Sequence, residues 1–265
     1  MVDDYDRFIV DFRSSTHIDL SLYKRTQMER RLRALRDRYG HETFAAYLAD
    51  VLDNPERLRE LIDRVTINVS EFYRNSARWD YVQEVAPQLW HRRRQSTRPR
   101  PLRCWSAACS TGEEPYTLAL VLHNVIPLED ISILATDIDE RALSRAREGR
   151  YSSDAIAAVP IAVRDRFFHK DQDGGTAQIS AQIRRSVDFR RHDLLQDPYG
   201  DDYDLIVCRN VLIYFTEDAK DGVFQKFSRA LAPGGLLFVG STEYIPYPDR
   251  FRLATKSPFF YQKTE

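Results

Sequence analysis

The hydrophobic periodicity of the sequence changes near residue 100, and this change limits the folds open to the chain. Up to about Leu89, apolar residues recur every three or four positions, which predicts amphipathic α-helices. We expect five, over residues 4–12, 22–39, 42–51, 55–67 and 76–90. Asn54 before Pro55 is typical of a helix N-cap, and Gly40 is suited to end the second helix. Residues 1–90 therefore predict a small all-α domain.

Residues 91–101 are polar, basic and interrupted by proline, and we interpret them as a linker. After them, short runs of Ile, Val, Leu and Phe alternate with helical patterns. Strands are predicted at 102–107, 131–136, 187–191, 205–209 and 236–239, with helices at 115–124, 140–148 and 217–232. This alternation is typical of a doubly wound, Rossmann-like α/β sheet. We expect that domain to span residues 102–265.

Residues 152–185 are too many for a simple connection within such a sheet. They carry a Gly174-Gly175 turn between two apolar runs, which is typical of a β-hairpin. A small β-hairpin subdomain is therefore predicted as an insertion in the second domain.

Composition argues against several classes of protein. Acidic and basic residues nearly cancel to a net charge of −1, so the chain as a whole does not resemble a nucleic-acid-binding protein. Apolar runs are too short to span a bilayer and the acidic N-terminus does not resemble a signal peptide, so we expect a cytoplasmic protein without membrane insertion. The three cysteines lack zinc-site spacing, and no metal is expected.

The turn after the first predicted strand suits a cationic ligand. In the segment WSAACSTGEEPY, residues 105–116, small residues such as Ala107 and Gly112 let the backbone approach a ligand at the strand's carboxyl end. Two carboxylates, Glu113 and Glu114, follow at once and would repel a pyrophosphate. Taken alone, the segment would be interpreted as an ordinary turn whose acids favour the helix dipole.

The other strand ends carry polar residues to the same edge of the predicted sheet. These are Asp137 after the second strand, Asp193 with Leu194 after the third, and Arg209 with Asn210 after the fourth. An acid at the position of Asp137 can accept hydrogen bonds from both ribose hydroxyls, whereas Asp139 fits a helix N-cap. Asp193 alone is more often a loop acid. Because four strand ends meet in one crevice, we predict a nucleoside site there.

Four ordered motifs together resemble the chemotaxis receptor methyltransferases of the CheR family. They are NVSEFYR at 68–74, SAACSTGEEPY at 106–116, ATDID at 135–139 and CRNVLIYF at 208–215. Without this resemblance, we would interpret the first motif as a helix cap on Asn75 with an aromatic contact to the core. The similarity extends over nearly the whole chain.

The resemblance implies an enzyme that transfers a methyl group from S-adenosylmethionine to glutamate side chains of chemoreceptors, with S-adenosylhomocysteine as the product. It implies a cofactor site formed by Asn68, Ser70, Arg74, Glu114, Asp137, Asp193, Leu194, Arg209 and Asn210. Within that site, Glu114 would hold the methionine amino group and Asp137 the ribose. The cationic ligand agrees with the acids after the glycine turn, and Arg74 or Arg209 would pair with its carboxylate.

Methyl transfer to glutamate needs no general base, because the acceptor carboxylate is already ionised at neutral pH. Catalysis would come from proximity, orientation and partial desolvation. We therefore predict Arg74 and Tyr214 as catalytic residues that orient the acceptor carboxylate or hold the cofactor beside it.

The second predicted helix is strongly basic. Its cationic residues include Lys24, Arg25, Arg30, Arg31, Arg33 and Arg36. Such a run is usually a solvated face. Because the family's substrate is an acidic helical bundle of chemoreceptors, we expect a docking surface here. A nucleic-acid methyltransferase or a non-catalytic cofactor sensor are the alternatives, and we expect no nucleic-acid partner because no aromatic RNA-binding platform is apparent.

Overall fold

The computed structural model describes residues 3–95, 100–171 and 174–264. Its residues form two compact units. The first contains the described part of Met1–Asn68 together with Val211–Val223, and the second contains the described parts of Val69–Asn210 and Phe224–Glu265.

The first unit is helical. It contains α1 (Asp4–Thr16), α2 (Arg25–Arg38), α3 (Phe44–Leu52) and α4 (Pro55–Thr66). The Asn54 side chain accepts hydrogen bonds from two backbone amides at the start of α4, and Gly40 follows α2 with a φ of +77°, so both predicted boundaries are confirmed. The second helix starts later than predicted, because Leu20–Leu22 forms a separate 3-10 turn that Asp19 caps.

The second unit combines helices with two sheets. Its helices are α5 (Ala77–Arg94), α6 (Glu113–His123), α7 (Glu140–Glu148), α8 (Ile161–Phe167), α9 (Ala181–Arg185) and the later part of α10 (Glu217–Ala230). Its strands are β1 (Leu102–Ala107), β2 (Ile131–Asp137), β3 (Arg150–Ser152), β4 (Phe168–Lys170), β5 (Thr176–Ile179), β6 (Val187–Arg191), β7 (Tyr203–Cys208), β8 (Leu231–Val239), β9 (Leu253–Ser257) and β10 (Phe260–Lys263).

The larger sheet has the strand order β6-β2-β1-β7-β8-β10-β9. Its first five strands run parallel, and β10 is antiparallel to both β8 and β9. Ala107, at the end of β1, pairs with Thr136 on one side and Cys208 on the other, so the carboxyl ends of these strands are level. This arrangement confirms the predicted Rossmann-like α/β class. The strands β9 and β10 were not predicted.

The predicted insertion supplies β4 and β5 of the smaller sheet, and β3 begins two residues before it. In this sheet β5 lies between β3 and β4 and is antiparallel to both. Gly174 has a φ of +71° in the connection between β4 and β5, as a hairpin turn at this glycine pair requires.

The division between the units differs from the boundary that we predict at residues 91–101. The helix α5 lies in the second unit, because Trp79, Val82 and Ala86 belong to its hydrophobic core and α5 packs on β1 and α6. Residues 91–94 of the predicted linker are the last turn of this helix, and Arg93 donates a 2.9 Å hydrogen bond to Asp202. Residues 96–99 lie outside the described residues.

Among the described residues, no helix is both long enough and apolar enough to cross a membrane.

Replacing Asn54 with alanine should lower the free energy of unfolding by about 1 kcal/mol, because two amides at the start of α4 lose their acceptor. Urea denaturation measures this loss. Asn54→Asp keeps an acceptor and should remain within a few tenths of a kcal/mol of the unsubstituted protein. An equal loss in the two variants would contradict the capping role.

Candidate active site

The turn between β1 and α6 has an unusual backbone. Ala108 and Ser110 have φ angles of +63° and +49°, a region that costs about 1–2 kcal/mol for a residue with a side chain. Gly112 follows at +96°. The Ser110 amide donates a 2.8 Å hydrogen bond to Oδ2 of Asp137, so the end of β2 holds the turn in this conformation.

The structure leaves little room at Ala107 and Gly112, the two small residues that the sequence analysis selected in this turn. Ala107 is fully buried at the end of β1. A Cβ atom at Gly112 would lie 2.9 Å from both the Ala146 Cβ and the Tyr151 hydroxyl, so a larger residue would displace α7 or Tyr151. The turn can therefore lie close against its neighbours only with glycine at this position.

Asp137 is buried and already engaged with the backbone. Its Oδ1 accepts the Asp139 amide at 3.0 Å, and its Oδ2 accepts the Ser110 amide. Burial raises the pKa of Asp137 to about 6, against the opposing effect of these hydrogen bonds. Each carboxylate oxygen accepts two hydrogen bonds, so capacity for a ligand hydroxyl remains. The predicted N-cap is confirmed, since Asp139 accepts the Arg141 amide at 2.8 Å.

Glu114 is the buried acid of the turn. Its Oε1 accepts a 2.9 Å hydrogen bond from the Ser106 hydroxyl, and its Oε2 lies 3.6 Å from Nη1 of Arg209. Removal from water raises the pKa of Glu114 to about 7, although Arg209 and Ser106 act in the opposite direction. A cationic ligand group beside this carboxylate would favour its ionised form.

Arg209 is almost completely buried at the end of β7. Its Nη2 donates 2.8 Å hydrogen bonds to the Arg74 carbonyl and to Oδ1 of Asn75, and the guanidinium lies 4.8 Å from the ring centre of Phe238. Within the described residues, its buried Nε has no hydrogen-bond partner. The interpretation of Asn75 as a helix cap is wrong, because Ser76 is the N-cap of α5 and the Asn75 amide group accepts from Arg209.

A small cavity brings together five of the predicted cofactor residues. Its lining consists of Val69, Ser70, Glu71, Arg74, Ala108, Ser110, Glu114, Arg209 and Asn210. The lining thus includes two glutamates, the buried Glu114 and the exposed Glu71, and two arginines, Arg74 and Arg209. This donor set matches the ammonium and carboxylate groups of an amino acid, so it fits the methionine part of S-adenosylmethionine.

Glu243 supports Asn210 at the cavity and was missed in the sequence analysis. Its Oε2 accepts the amides of Asn210 at 2.7 Å and Gly240 at 2.8 Å, and this joins the ends of β7 and β8. Asn210 has a φ of +61° at this junction. The acid follows the last predicted strand by four residues, so the reasoning applied to the other strand ends would have identified it.

Asp193 and Leu194 do not line this cavity. Asp193 accepts hydrogen bonds from its own loop, including the Leu195 amide at 2.8 Å, and the Leu194 carbonyl accepts one from Lys226 at 2.6 Å. The loop follows β6 next to β2, where the His192 amide donates to the Asp137 carbonyl at 2.9 Å.

Asn68 and Tyr214 belong to the first unit. The Asn68 side chain donates to the Thr66 hydroxyl at 3.2 Å. Tyr214 is half-buried, its carbonyl accepts the Lys24 amide at 2.8 Å, and the Arg31 guanidinium lies 5.7 Å from its ring centre.

Most of the predicted docking cations, on α2 and at its N-cap Lys24, have carboxylate partners. Arg25 pairs with Asp3, Asp6 and Glu29. The other pairs are Arg33 with Glu29, Arg36 with Asp37 and Lys24 with Glu217. Within the described residues, Arg30 and Arg31 have no ion pair, and both line a surface pocket of about 280 Å³ beside Tyr214.

Comparison with known proteins gives matches to both parts of the chain. A family model described as "CheR methyltransferase, SAM binding domain" matches residues 68–260, and one described as "CheR methyltransferase, all-alpha domain" matches residues 3–66. A chemotaxis protein methyltransferase of Listeria monocytogenes is 42% identical over 98% of this chain and 97% of its own length. One from Borreliella burgdorferi is 32% identical over 92% of this chain and 88% of its own. The two models meet near residue 67, close to the division between the units.

We expect cofactor affinity to depend on the ionisation of Glu114. Because its pKa is about 7, S-adenosylmethionine should bind about tenfold more weakly at pH 6 than at pH 8. Glu114→Gln keeps an acceptor for Ser106 but removes the charge, so it should bind at least about tenfold more weakly at pH 8. Isothermal titration calorimetry measures both dissociation constants.

Comparing the unsubstituted protein with the Glu114→Gln variant isolates the effect of Glu114 ionisation on cofactor affinity. The ligand's own amino group titrates identically in both experiments. The Gln variant should therefore lack the part of the pH dependence that is centred near pH 7. Parallel pH profiles for the two proteins would rule out this carboxylate as the partner of the ligand's cation.

Proposed function

Because the chain belongs to the CheR family of S-adenosylmethionine-dependent methyltransferases, we propose that it methylates glutamate side chains of chemoreceptors in the cytoplasm, giving γ-methyl esters. The observation that carries this proposal is the cavity in which Glu114 faces Arg74 and Arg209. Relatives named as chemotaxis protein methyltransferases support the receptor as the acceptor.

The cofactor would be held at its amino-acid end by opposite charges. Glu114 would bind the ammonium group, and the Arg209 Nε, which is buried without a partner in the described residues, would bind the carboxylate together with Arg74. Asp137 would accept from the ribose hydroxyls through its remaining lone pairs. Asp193 and Leu194 would border the adenine from the loop after β6, and Asn68 would also bind the cofactor.

The protein would contribute to the reaction mainly by positioning the cofactor and the acceptor glutamate. Bound S-adenosylmethionine supplies an electrophilic methyl group. The acceptor glutamate has an ordinary pKa near 4.3 and is already ionised, so no residue of the chain has to take a proton from it. The cavity walls accordingly provide charges and hydrogen-bond donors, and none of their residues is a histidine. They would orient the two reacting groups and exclude water.

We assign to Arg74 and Tyr214 the role of orienting the acceptor carboxylate or the cofactor beside it. Arg74 is a half-buried residue that lines the cavity. Tyr214 follows Asn210 by four positions in the chain, and its hydroxyl is a donor of the kind that a carboxylate accepts. Each would either hold the acceptor directly or fix the cofactor beside it.

The docking surface for the receptor would centre on Arg30 and Arg31. Within the described residues, these α2 cations have no ion pair, so their charge is available to an acidic partner. Arg31 also lies against Tyr214, which would place the docking charge next to a residue assigned to the reaction. Complementary charge speeds encounter and fixes orientation more than it adds affinity.

The proposed function is tested with labelled S-adenosylmethionine, using chemoreceptor cytoplasmic fragments and RNA as alternative acceptors. We expect base-labile label in the receptor fragment that is released as methanol. Label in RNA would indicate a nucleic-acid methyltransferase, and cofactor binding without transfer would indicate a sensor. Either of these results would overturn the proposed function.

Tyr214→Phe should lower kcat for receptor methylation by about 10- to 100-fold, because a hydrogen bond to a charged group is lost. The aromatic ring remains, so its contact with Arg31 should persist. Steady-state kinetics with the receptor fragment measure kcat, and calorimetry measures cofactor affinity. Unchanged values for both quantities would remove Tyr214 from the site.

Replacing Arg30 and Arg31 together with glutamine should raise the KM for the receptor fragment about tenfold at low salt, with less effect near 0.5 M salt. The matched control is Arg25→Gln with Arg33→Gln, which removes the same formal charge from α2 at positions already paired with Glu29. We expect a smaller rise in KM for this control. Equal effects of the two double variants would argue against a docking surface centred on Arg30 and Arg31.

A further inference from the structure

Among the described residues of the second unit, most large exposed apolar side chains belong to Val69 or to the loop that follows β8. Four large hydrophobic residues of this unit are exposed in the described part of the chain, and three of them are Val69, Tyr244 and Tyr247. Val69 lines the cavity and is 70% exposed. Tyr244 is 67% and Tyr247 71% exposed, in the loop that follows β8. Single exposed apolar residues are ordinary, but two aromatic residues exposed within one short loop are typical of a contact surface.

The loop that carries the two tyrosines is joined directly to the cavity. Glu243 precedes Tyr244 and accepts the amide of Asn210, which lines the cavity, at 2.7 Å. Because β8 is parallel to β7 and level with it, the loop leaves the sheet at the same edge as the cofactor residues. The tyrosines therefore lie on the side of the second unit from which a methyl acceptor has to approach.

The backbone of this loop is fixed by buried neighbours. The Glu243 carboxylate also accepts the Gly240 amide at 2.8 Å, and the Ile245 amide donates to the Tyr261 hydroxyl at 3.1 Å. Both Glu243 and Ile245 are buried, so the residues between and after them point outward from an anchored chain. Anchoring of this kind lowers the entropy that a partner has to remove on binding.

Tyr247 has a strained backbone for an exposed aromatic residue. It stands between Pro246 and Pro248 with a φ of +51°, a region that is uncommon for bulky residues. Its carbonyl accepts the Arg250 amide at 3.1 Å, which helps to hold this conformation. Strain that the surroundings maintain is found most often at binding and catalytic sites.

We propose that Tyr244 and Tyr247 form a contact surface for the methyl-accepting segment, which is a helix that carries the target glutamate and an apolar residue about one turn away. This inference rests on the proposed function. Residues three or four apart lie on one helix face, so the glutamate and its apolar neighbour would face the cavity and the tyrosines together. Tyrosine suits this role, because it offers a large contact area and loses little conformational freedom on binding.

The test compares Tyr244→Ala/Tyr247→Ala with Tyr244→Phe/Tyr247→Phe in methylation of a chemoreceptor cytoplasmic fragment. The alanine variant should raise the KM for the fragment about tenfold, as expected for loss of aromatic interface anchors. Its kcat and its dissociation constant for S-adenosylmethionine should stay within about twofold. The phenylalanine variant keeps both rings and should stay within about twofold in all three quantities.

Hydrogen exchange on the unsubstituted protein gives a second measurement that does not depend on the variants. Adding the receptor fragment should slow exchange of backbone amides in residues 240–248. Unchanged exchange in this loop, or an unchanged KM in the alanine variant, would overturn the inference and leave receptor methylation by the unsubstituted protein intact. No label in the receptor from the unsubstituted protein would overturn the proposed function and this surface with it.

Two further results would give the tyrosines a role other than contact with the methyl-accepting segment. A rise in the dissociation constant for S-adenosylmethionine that matches the rise in KM would mean that the loop acts on the cofactor cavity, and the inference would be wrong. Self-association of the unsubstituted protein in sedimentation experiments, if the alanine variant loses it, would make a second copy of the chain the occupant and would also overturn the inference.

Discussion

The buried guanidinium of Arg209 is the interaction on which the rest of the cavity depends. A charge removed from water has to be paired and hydrogen-bonded, and this one finds the Arg74 carbonyl, the Asn75 side chain and the Glu114 carboxylate. Those groups come from two segments of the second unit, and Arg209 itself lies on a third. Burial of this one cation therefore holds the segment before α5 against the turn between β1 and α6. The cavity is the space between these two segments.

The sequence predicted most of the second unit because its elements have clear local boundaries. β1, β6 and α7 begin and end at the predicted residues, as a buried apolar run or a capped amphipathic pattern requires. The division between the units was not predictable in this way. Amphipathic spacing shows that α5 has an apolar face, but it does not show which core covers that face, and the sheet of the second unit covers it.

The same distinction applies to the site. Resemblance and strand-end reasoning identified Ser70, Arg74, Glu114, Arg209 and Asn210, which the fold gathers around one cavity. Glu243 was missed because strand-end reasoning was not applied to the last predicted strand. The contact of Asn75 with Arg209 was not predictable, because it joins segments that meet only in the folded chain. On α2, the sequence shows a run of cations but not their partners. The structure shows that Glu29 pairs with Arg25 and Arg33 and so neutralises part of this charge.

The first unit is assembled from two stretches of chain, and this limits how the protein can be dissected. A fragment that stops at residue 68 would lack Phe215, whose ring centre lies 5.1 Å from that of Tyr23, and the Leu22 carbonyl would lose the Thr216 amide. Such a fragment would open its own core to water. The helical unit is therefore discontinuous in the sequence. Transferring it to another protein would require a fusion that also carries residues 211–223.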